Sequence, residues 1–187
     1  MAFLVGLFER LSVRKRRRDI PAVRDALAAH ADTRILDVGG GGGSATNAFA
    51  AGCRDVTVLE PDPRKTAYGR RHHPHLAFVE GHAERIPFPD RSFDRVVGIV
   101  SFHHVEDPAR AIGEIRRVLR PDGRLVLFEM RPADHAGPLT HILGRRVHGS
   151  DPHFYEPEDL RRLLEEHGLR DVSVRDGASG YVLIAAP

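Results

Sequence analysis

The chain has one cysteine, Cys53, no tryptophan, two methionines and only 6% aromatic residues in 187. A single thiol excludes an internal disulfide and any cysteine-based zinc knuckle, and it agrees with a reducing cytoplasm. No apolar run approaches the roughly 20 residues that a bilayer-spanning helix needs. The scarcity of aromatics removes a stacking platform for single-stranded nucleic acid, which disfavours a nucleic-acid partner. What remains is 41% hydrophobic and 29% charged, enough apolar material for a core and too much for a disordered chain. The length suits one domain, 1–187.

Charge is unevenly spread. The formal net is +2 and the isoelectric point is near 9.0. Residues 1–30 hold seven basic and three acidic side chains, so this arm carries +4 and the other 157 residues −2. Within Met1-AFLVGLFERLSVRKRRRD the positive charges follow the apolar stretch, opposite to a secretory signal. Phe3, Leu4, Leu7, Phe8 and Leu11 recur at helical intervals. The preferred reading is a helix whose apolar side packs on the body. The other is an amphipathic helix on anionic lipid, a peripheral membrane contact through residues 1–18.

From Thr33 onward short apolar runs alternate with amphipathic segments. Strands are expected at Arg34-ILDV, Asp55-VTVLE, Leu76-AFVEG, Phe93-DRVVGIVSF, Arg124-LVLFEM, Asp171-VSVRD and Tyr181-VLIAA. Helices are expected over Ala45 to Ala51 with Ser44 as cap, after Pro63, from Pro108 to Arg120, and from Glu156 to His167. Seven strands with intervening helices imply an α/β protein: a Rossmann-like, three-layer α/β/α fold around a mostly parallel sheet. The organisation read from this pattern is a basic helical arm (1–30), an alternating core (33–130), an irregular insertion (131–155) and a C-terminal helix and strand pair (156–187). Ligands of such sheets sit at the carboxyl ends of the strands, where the strand order reverses.

The first of those ends is Ile35-LDVGGGGGS. Gly39, Gly41 and Gly43 allow backbone turns and close approach that a Cβ forbids. No lysine follows the glycines, so this is not a Walker phosphate loop. Gly40, Gly42 and Ala45 formally satisfy a dinucleotide fingerprint, and Glu60 lies near the expected ribose-binding position. Asp37 discriminates. A carboxylate just before the glycines repels a pyrophosphate and suits a cation, and S-adenosylmethionine carries a sulfonium and an ammonium with no phosphate. Glu60, ending the second strand, can accept two charge-assisted bonds from ribose hydroxyls, worth roughly 1.5–3 kcal/mol each.

Ile35-LDVGGGGG, Val56-TVLE, Glu80-GHAERIPFPDRSFD, Val100-SFHHVEDP and Arg117-VLRPDGRLVL together resemble the successive motifs of class I S-adenosylmethionine-dependent methyltransferases. The nearest likeness is to the small-molecule branch that includes quinone methyltransferases. The resemblance runs from about Thr33 to Glu129 and implies an antiparallel last strand inserted into the sheet. It also implies S-adenosyl-L-methionine as cofactor, with Asp37, Gly39 and Gly41 at its methionine end and Glu60 on the ribose. Pro61 would cover one adenine face, His82 and Ala83 would meet the adenine edge, and Ser101 would floor the site. Two departures stand out. The family usually has bulkier residues at Gly40 and Gly42, from which an unusually flexible loop is expected. It usually has Asp at His82, so a protonated imidazole there would lose the acceptor that reads the adenine amino group.

Methyl transfer needs alignment, exclusion of water and, for a protonated acceptor, a base. His103 and His104, after the central strand, are the candidate bases, with a structural role as the alternative. His148, His153 and Tyr155 are candidates for contact with a small-molecule acceptor. Twelve histidines, notably His72-HPH, lack a supporting carboxylate pattern, and Asp151 and Asp159 assemble no magnesium site, so no metal is expected. The rivals are a non-catalytic cofactor-binding regulatory protein and a nicotinamide-dependent oxidoreductase. The core leaves little chain for an acceptor pocket, which points to a compact acceptor or one partly held by a membrane or by the second subunit of a homodimer.

Overall fold

The computed structural model describes residues 2–135 and 152–187. Seven strands form one sheet in the order β3-β2-β1-β4-β5-β7-β6, comprising β1 (Arg34–Val38), β2 (Asp55–Glu60), β3 (Ala77–Glu80), β4 (Phe93–Ile99), β5 (Leu119–Glu129), β6 (Arg170–Asp176) and β7 (Tyr181–Ala186). The first five pair in parallel, and β7 runs antiparallel to both β5 and β6. The order reverses between β1 and β4, so their carboxyl ends splay apart and leave a crevice.

Alternation along the strands sends each residue to one of two cores. Leu36, Val96, Leu125, Leu127 and Leu183 pack on one side. There they meet Ala111, Ile112, Ile115 and Val118 of α5 (Pro108–Val118), and Leu160 and Leu164 of α6 (Pro157–Glu166). Ile35, Val58, Val97, Val126 and Phe128 face the other side, against Val23, Ala26 and Leu27 of α2 (Ile20–Leu27). Burial on both faces explains why β1, β4 and the end of β5 read as continuous apolar runs. The edge strand β6 is mostly exposed and carries Arg170, Asp171, Arg175 and Asp176, charges that discourage pairing with another chain.

Helix starts follow simple rules. Pro63 and Pro108 occupy first-turn positions where no N–H is needed. The side chains of Asp62 and Asp107 accept from the free amides of Arg64 and Arg110. Two expectations are corrected. Ser44 is not a cap: Gly43, at φ +79°, occupies that position, and α3 (Ser44–Phe49) ends two residues early. Helix α5 stops at Val118 rather than Arg120, because Leu119 already pairs with Phe93. Register is then lost until Arg124 faces Arg95, since Pro121 brings no amide to the ladder.

The arm folds as α1 (Ala2–Arg16), packed on α3 and on α4 (Pro63–His72). The side chains of Phe3, Leu4 and Phe8 lie outside the described residues. Leu7 and Leu11, expected against the body, are 45% and 56% exposed. The inward contacts belong instead to Gly6, against the Tyr68 ring, and to Glu9, which is 7% exposed. Asp19 fixes the far end. Its carboxylate accepts from the amides of Ala178 and Ser179 and from the Ser179 hydroxyl, tying the start of α2 to the β6–β7 turn.

Candidate functional site

A cavity of about 640 Å³ opens at the carboxyl ends of β1, β2, β4 and β5, roofed by α1. Its floor is the glycine loop after β1. Gly39, at φ +74°, leaves no room for a side chain, because a Cβ would stand 2.6 Å from that of Ser101. Gly41 also has positive φ, at +61°. Three of the loop's amides are hydrogen-bonded. Gly39 N–H donates to the Leu59 carbonyl (2.8 Å), Gly41 N–H to Glu60 Oε2 (3.0 Å), and Gly42 N–H to Glu9 Oε1 (2.7 Å). The two unusual glycines have packing reasons. A Cβ on Gly40 would meet Asp37 Oδ2 at 2.5 Å, and one on Gly42 would meet Tyr68 Cδ1 at 2.7 Å and Glu9 Cδ at 2.9 Å.

Asp37 ends inside the cavity wall, 1% exposed. Its Oδ2 accepts from the Thr46 hydroxyl (2.5 Å), while Oδ1 is buried with no hydrogen-bond partner among the described residues. Burial pushes its pKa up to about 7; the charges of Glu60 and Glu9 add to the rise, and the Thr46 bond opposes it. An orphaned carboxylate oxygen in a cavity wall suits a cationic ligand. Glu60, 3% exposed, accepts from Gly41 N–H and Asp62 N–H (3.1 Å) and lies 3.4 Å from Lys65 Nζ. Each of its oxygens keeps lone-pair capacity for a hydroxyl donor.

Pro61, His82 and Ala83 line the same end of the cavity, His82 exposed at the rim and Ala83 buried. Ser101 lines the floor, its hydroxyl donating to the Val38 carbonyl (2.7 Å). Gly43 does not line the cavity, since its would-be Cβ points at Phe78 and Leu76. Asp37, Gly39, Gly41, Glu60, Pro61, His82, Ala83 and Ser101 are thus brought together, and Gly43 is not.

Beyond Ser101 the wall is built differently. Val100 takes φ +51°, a strained conformation for a β-branched residue, costing about 1–3 kcal/mol. The turn that follows, Phe102–His104, is held by Glu129 from the end of β5. Glu129 is 2% exposed; its Oε1 accepts from Ser101 N–H (3.0 Å) and Phe102 N–H (2.7 Å). Its Oε2 lies 2.8 Å from His103 Nδ1. A carboxylate there fixes the tautomer of His103, with Nδ1–H donating. The His103 ring stacks on Phe154 (centroids 4.6 Å, 23° between planes) and touches His104 (4.1 Å).

The acceptor-side expectations fare unevenly. His148 lies outside the described residues. Phe154 and Pro152 line the cavity, whereas His153 and Tyr155 do not. Tyr155 turns to Phe102 (6.0 Å) and its carbonyl accepts from Tyr181 Oη; His153 packs edge-on to it. His72 stacks on Tyr68, and His73 Nε2 lies 3.3 Å from Ser44 Oγ, so that turn is engaged in packing. Among the described residues no three metal-ligating side chains gather. Burial raises the Cys53 thiol pKa, which leaves it a poor nucleophile. Four residues were missed by sequence reasoning: Glu9, Arg16, Glu129 and Phe154. Only Glu129 had a local signal, an acid ending an apolar strand.

A reversed parallel sheet, a glycine loop without a phosphate-binding lysine, and a buried carboxylate with an open oxygen define a class. It is a Rossmann-like protein that binds a nucleoside bearing positive charge. Comparison with known proteins gives the same class. Residues 36–127 match the family described as a methyltransferase domain. The chain is 35% identical to the demethylmenaquinone methyltransferase of Renibacterium salmoninarum, covering 93% of this chain and 82% of that one. It is 32% identical to that of Beutenbergia cavernae, over 87% and 76%. In fold it is similar to the methyltransferase solved with the Haloferax volcanii Trm112 activator (TM-score 0.83, 17% identity, 95% and 92% covered). The chain belongs to the class I S-adenosylmethionine-dependent methyltransferases, in the part of that family that holds the quinone methyltransferases. It is an enzyme, and S-adenosyl-L-methionine is its cofactor.

Proposed function

We propose that this enzyme methylates a small hydroquinone-like acceptor held between Ser101 and Phe154. The observation that carries the reading is the buried Glu129–His103 pair, stacked on an aromatic ring at the far end of the cofactor cavity. Phe102, Val105, Met130 and Phe154 make that end apolar, which suits an aromatic ring. The curated relatives quoted above act on demethylmenaquinone by name, and the same acceptor class is carried over here as part of the proposal.

On this reading Asp37 meets the cofactor's ammonium, Glu60 the ribose hydroxyls, and Pro61, His82 and Ala83 the adenine, with Gly39 and Gly41 giving close approach. The cofactor supplies an activated methyl group on sulfur. His103, with His104 beside it, would take the proton that the acceptor loses on methylation. Glu129 holds the imidazole and stabilises its positive charge. The core 33–130 then serves the cofactor, while the arm (1–30) and segment 131–155 serve the acceptor. Among the described residues no helix is long and apolar enough to cross a membrane. Exposed Leu7 and Leu11 beside Arg14, Lys15, Arg17 and Arg18 support a peripheral contact with anionic lipid on the cytoplasmic side.

The test is transfer of labelled methyl from S-adenosylmethionine to a short-chain hydroquinone, with its fully methylated analogue as control. Label in the hydroquinone alone supports the reading. No transfer to any hydroquinone, with transfer to an unrelated amine or acid, would overturn it.

A further inference from the structure

Helix α1 puts a second charged pair into the cavity that the scheme above does not use. Glu9 and Arg16 both line it, seven residues apart on the inward side of α1 with Val13 between them. Glu9 is the latch. Its two oxygens accept from Gly42 N–H (2.7 Å) and Ser44 N–H (3.4 Å), so α1 is hydrogen-bonded to the glycine loop. That contact exists only because residue 42 has no Cβ. The far end of α1 is equally fixed, since Asp19, three residues past Arg16, is tied to the β6–β7 turn. Arg16 is therefore held between two anchored points.

We infer that Arg16 binds the α-carboxylate of the cofactor and that α1, latched by Glu9, is a wall of the cofactor site. The amino-acid end of the cofactor carries an ammonium and a carboxylate. Asp37, with its open oxygen, suits the first, and the second needs a cation. Among the described residues, the lysine and arginine side chains lining the cavity are Lys15, Arg16 and Lys65. Lys65 stands beside Glu60 at the ribose end, and Lys15 is exposed to solvent. Arg16 is half-buried, with Glu9 towards the glycine loop and Glu129 towards the post-β4 turn favouring its charge. The amino-acid end must pass between those two places if the methyl group is to reach the acceptor end. A guanidinium offers two parallel N–H donors to a carboxylate, and burial makes such a pair strong. Desolvation lowers the Arg16 pKa, a cost that a bound carboxylate offsets.

This rests on the cofactor assignment, and the experiment separates the two. Binding of S-adenosylhomocysteine and of 5′-methylthioadenosine is measured by calorimetry on the full chain. The second ligand has the same nucleoside and thioether but no amino acid. Arg16→Met is expected to weaken S-adenosylhomocysteine at least tenfold and leave methylthioadenosine within twofold. Arg16→Lys should recover part of the loss. Gly42→Ala, whose Cβ displaces the Glu9 carboxylate, should weaken S-adenosylhomocysteine in the same selective way. Equal affinity of Arg16→Met and the unaltered protein for S-adenosylhomocysteine would overturn the proposal. So would parallel loss of both ligands, which marks general damage to the fold. If the unaltered chain binds neither ligand, the cofactor assignment itself falls.

Discussion

The two ends of the cavity are built by different means. At the glycine-loop end, carboxylates hold backbone amides: Glu60 takes Gly41 and Asp62, Glu9 takes Gly42 and Ser44, and glycines make room for them. At the other end Glu129 also holds two amides, but its second oxygen holds a side chain: it orients His103, and His103 stacks on Phe154. The first arrangement recognises a ligand of fixed shape and charge. The second presents an apolar wall and one oriented imidazole, which tolerates different acceptors as the wall changes. The contrast predicts that binding and chemistry can be separated by substitution at the two ends.

His103→Ala tests that separation most severely. Loss of a general base should lower kcat about 10²- to 10⁴-fold, with affinity for S-adenosylhomocysteine unchanged within threefold. A comparable loss of affinity would break the comparison. Glu60→Ala is its mirror image. Losing two charge-assisted bonds of roughly 1.5–3 kcal/mol each should weaken S-adenosylhomocysteine by about two orders of magnitude or more, read by calorimetry. Preserved affinity would remove Glu60 from the cofactor site.

Glu129→Gln should cost about 1–3 kcal/mol of stability in a denaturant titration, because an amide group cannot accept from all three of its present donors. It should also lower kcat without changing cofactor affinity. An unaltered midpoint would show that the turn after β4 does not depend on this carboxylate.

The smallest effect is the pH dependence of binding. With Asp37 raised to about 7 by burial, its protonated fraction grows below neutrality. A cationic ligand requires the carboxylate, so S-adenosylmethionine affinity should fall up to tenfold per pH unit below 7. The same shift makes the empty protein less stable as pH rises from the ordinary Asp range through 7, since the folded state binds that proton more tightly. Asp37→Asn should flatten the binding profile. If His82→Ala flattens it instead, the rim imidazole is the sensor and Asp37 is structural.

Most of the sheet and the cofactor end were legible because their signals are short-range. Gly39 and Gly41 need positive φ, and Asp37 and Glu60 end runs of buried strand, features visible within a few residues. The acceptor end was legible only in part. The sequence puts His103 beside the site, and His103 lines the cavity, but Phe154 rather than His153 or Tyr155 completes the wall. Neighbouring residues of an extended segment point in different directions, and only packing against Phe102 and Tyr181 selects which one turns inward.

The arm shows the same division. Helical spacing and basic charge were plain from the residues, yet the expected apolar seam through Leu7 and Leu11 is the exposed one. Periodicity and glycine sterics follow from local geometry, so the chain alone determined the class of fold and the cofactor, whereas the strand order that opens the crevice comes from long-range pairing. The face of α1 that turns inward, the burial that lifts Asp37, and the pairing of Glu129 with His103 were decided by tertiary structure. Burying a charge is tolerable only where distant segments supply its partners, and no local pattern of residues encodes that meeting.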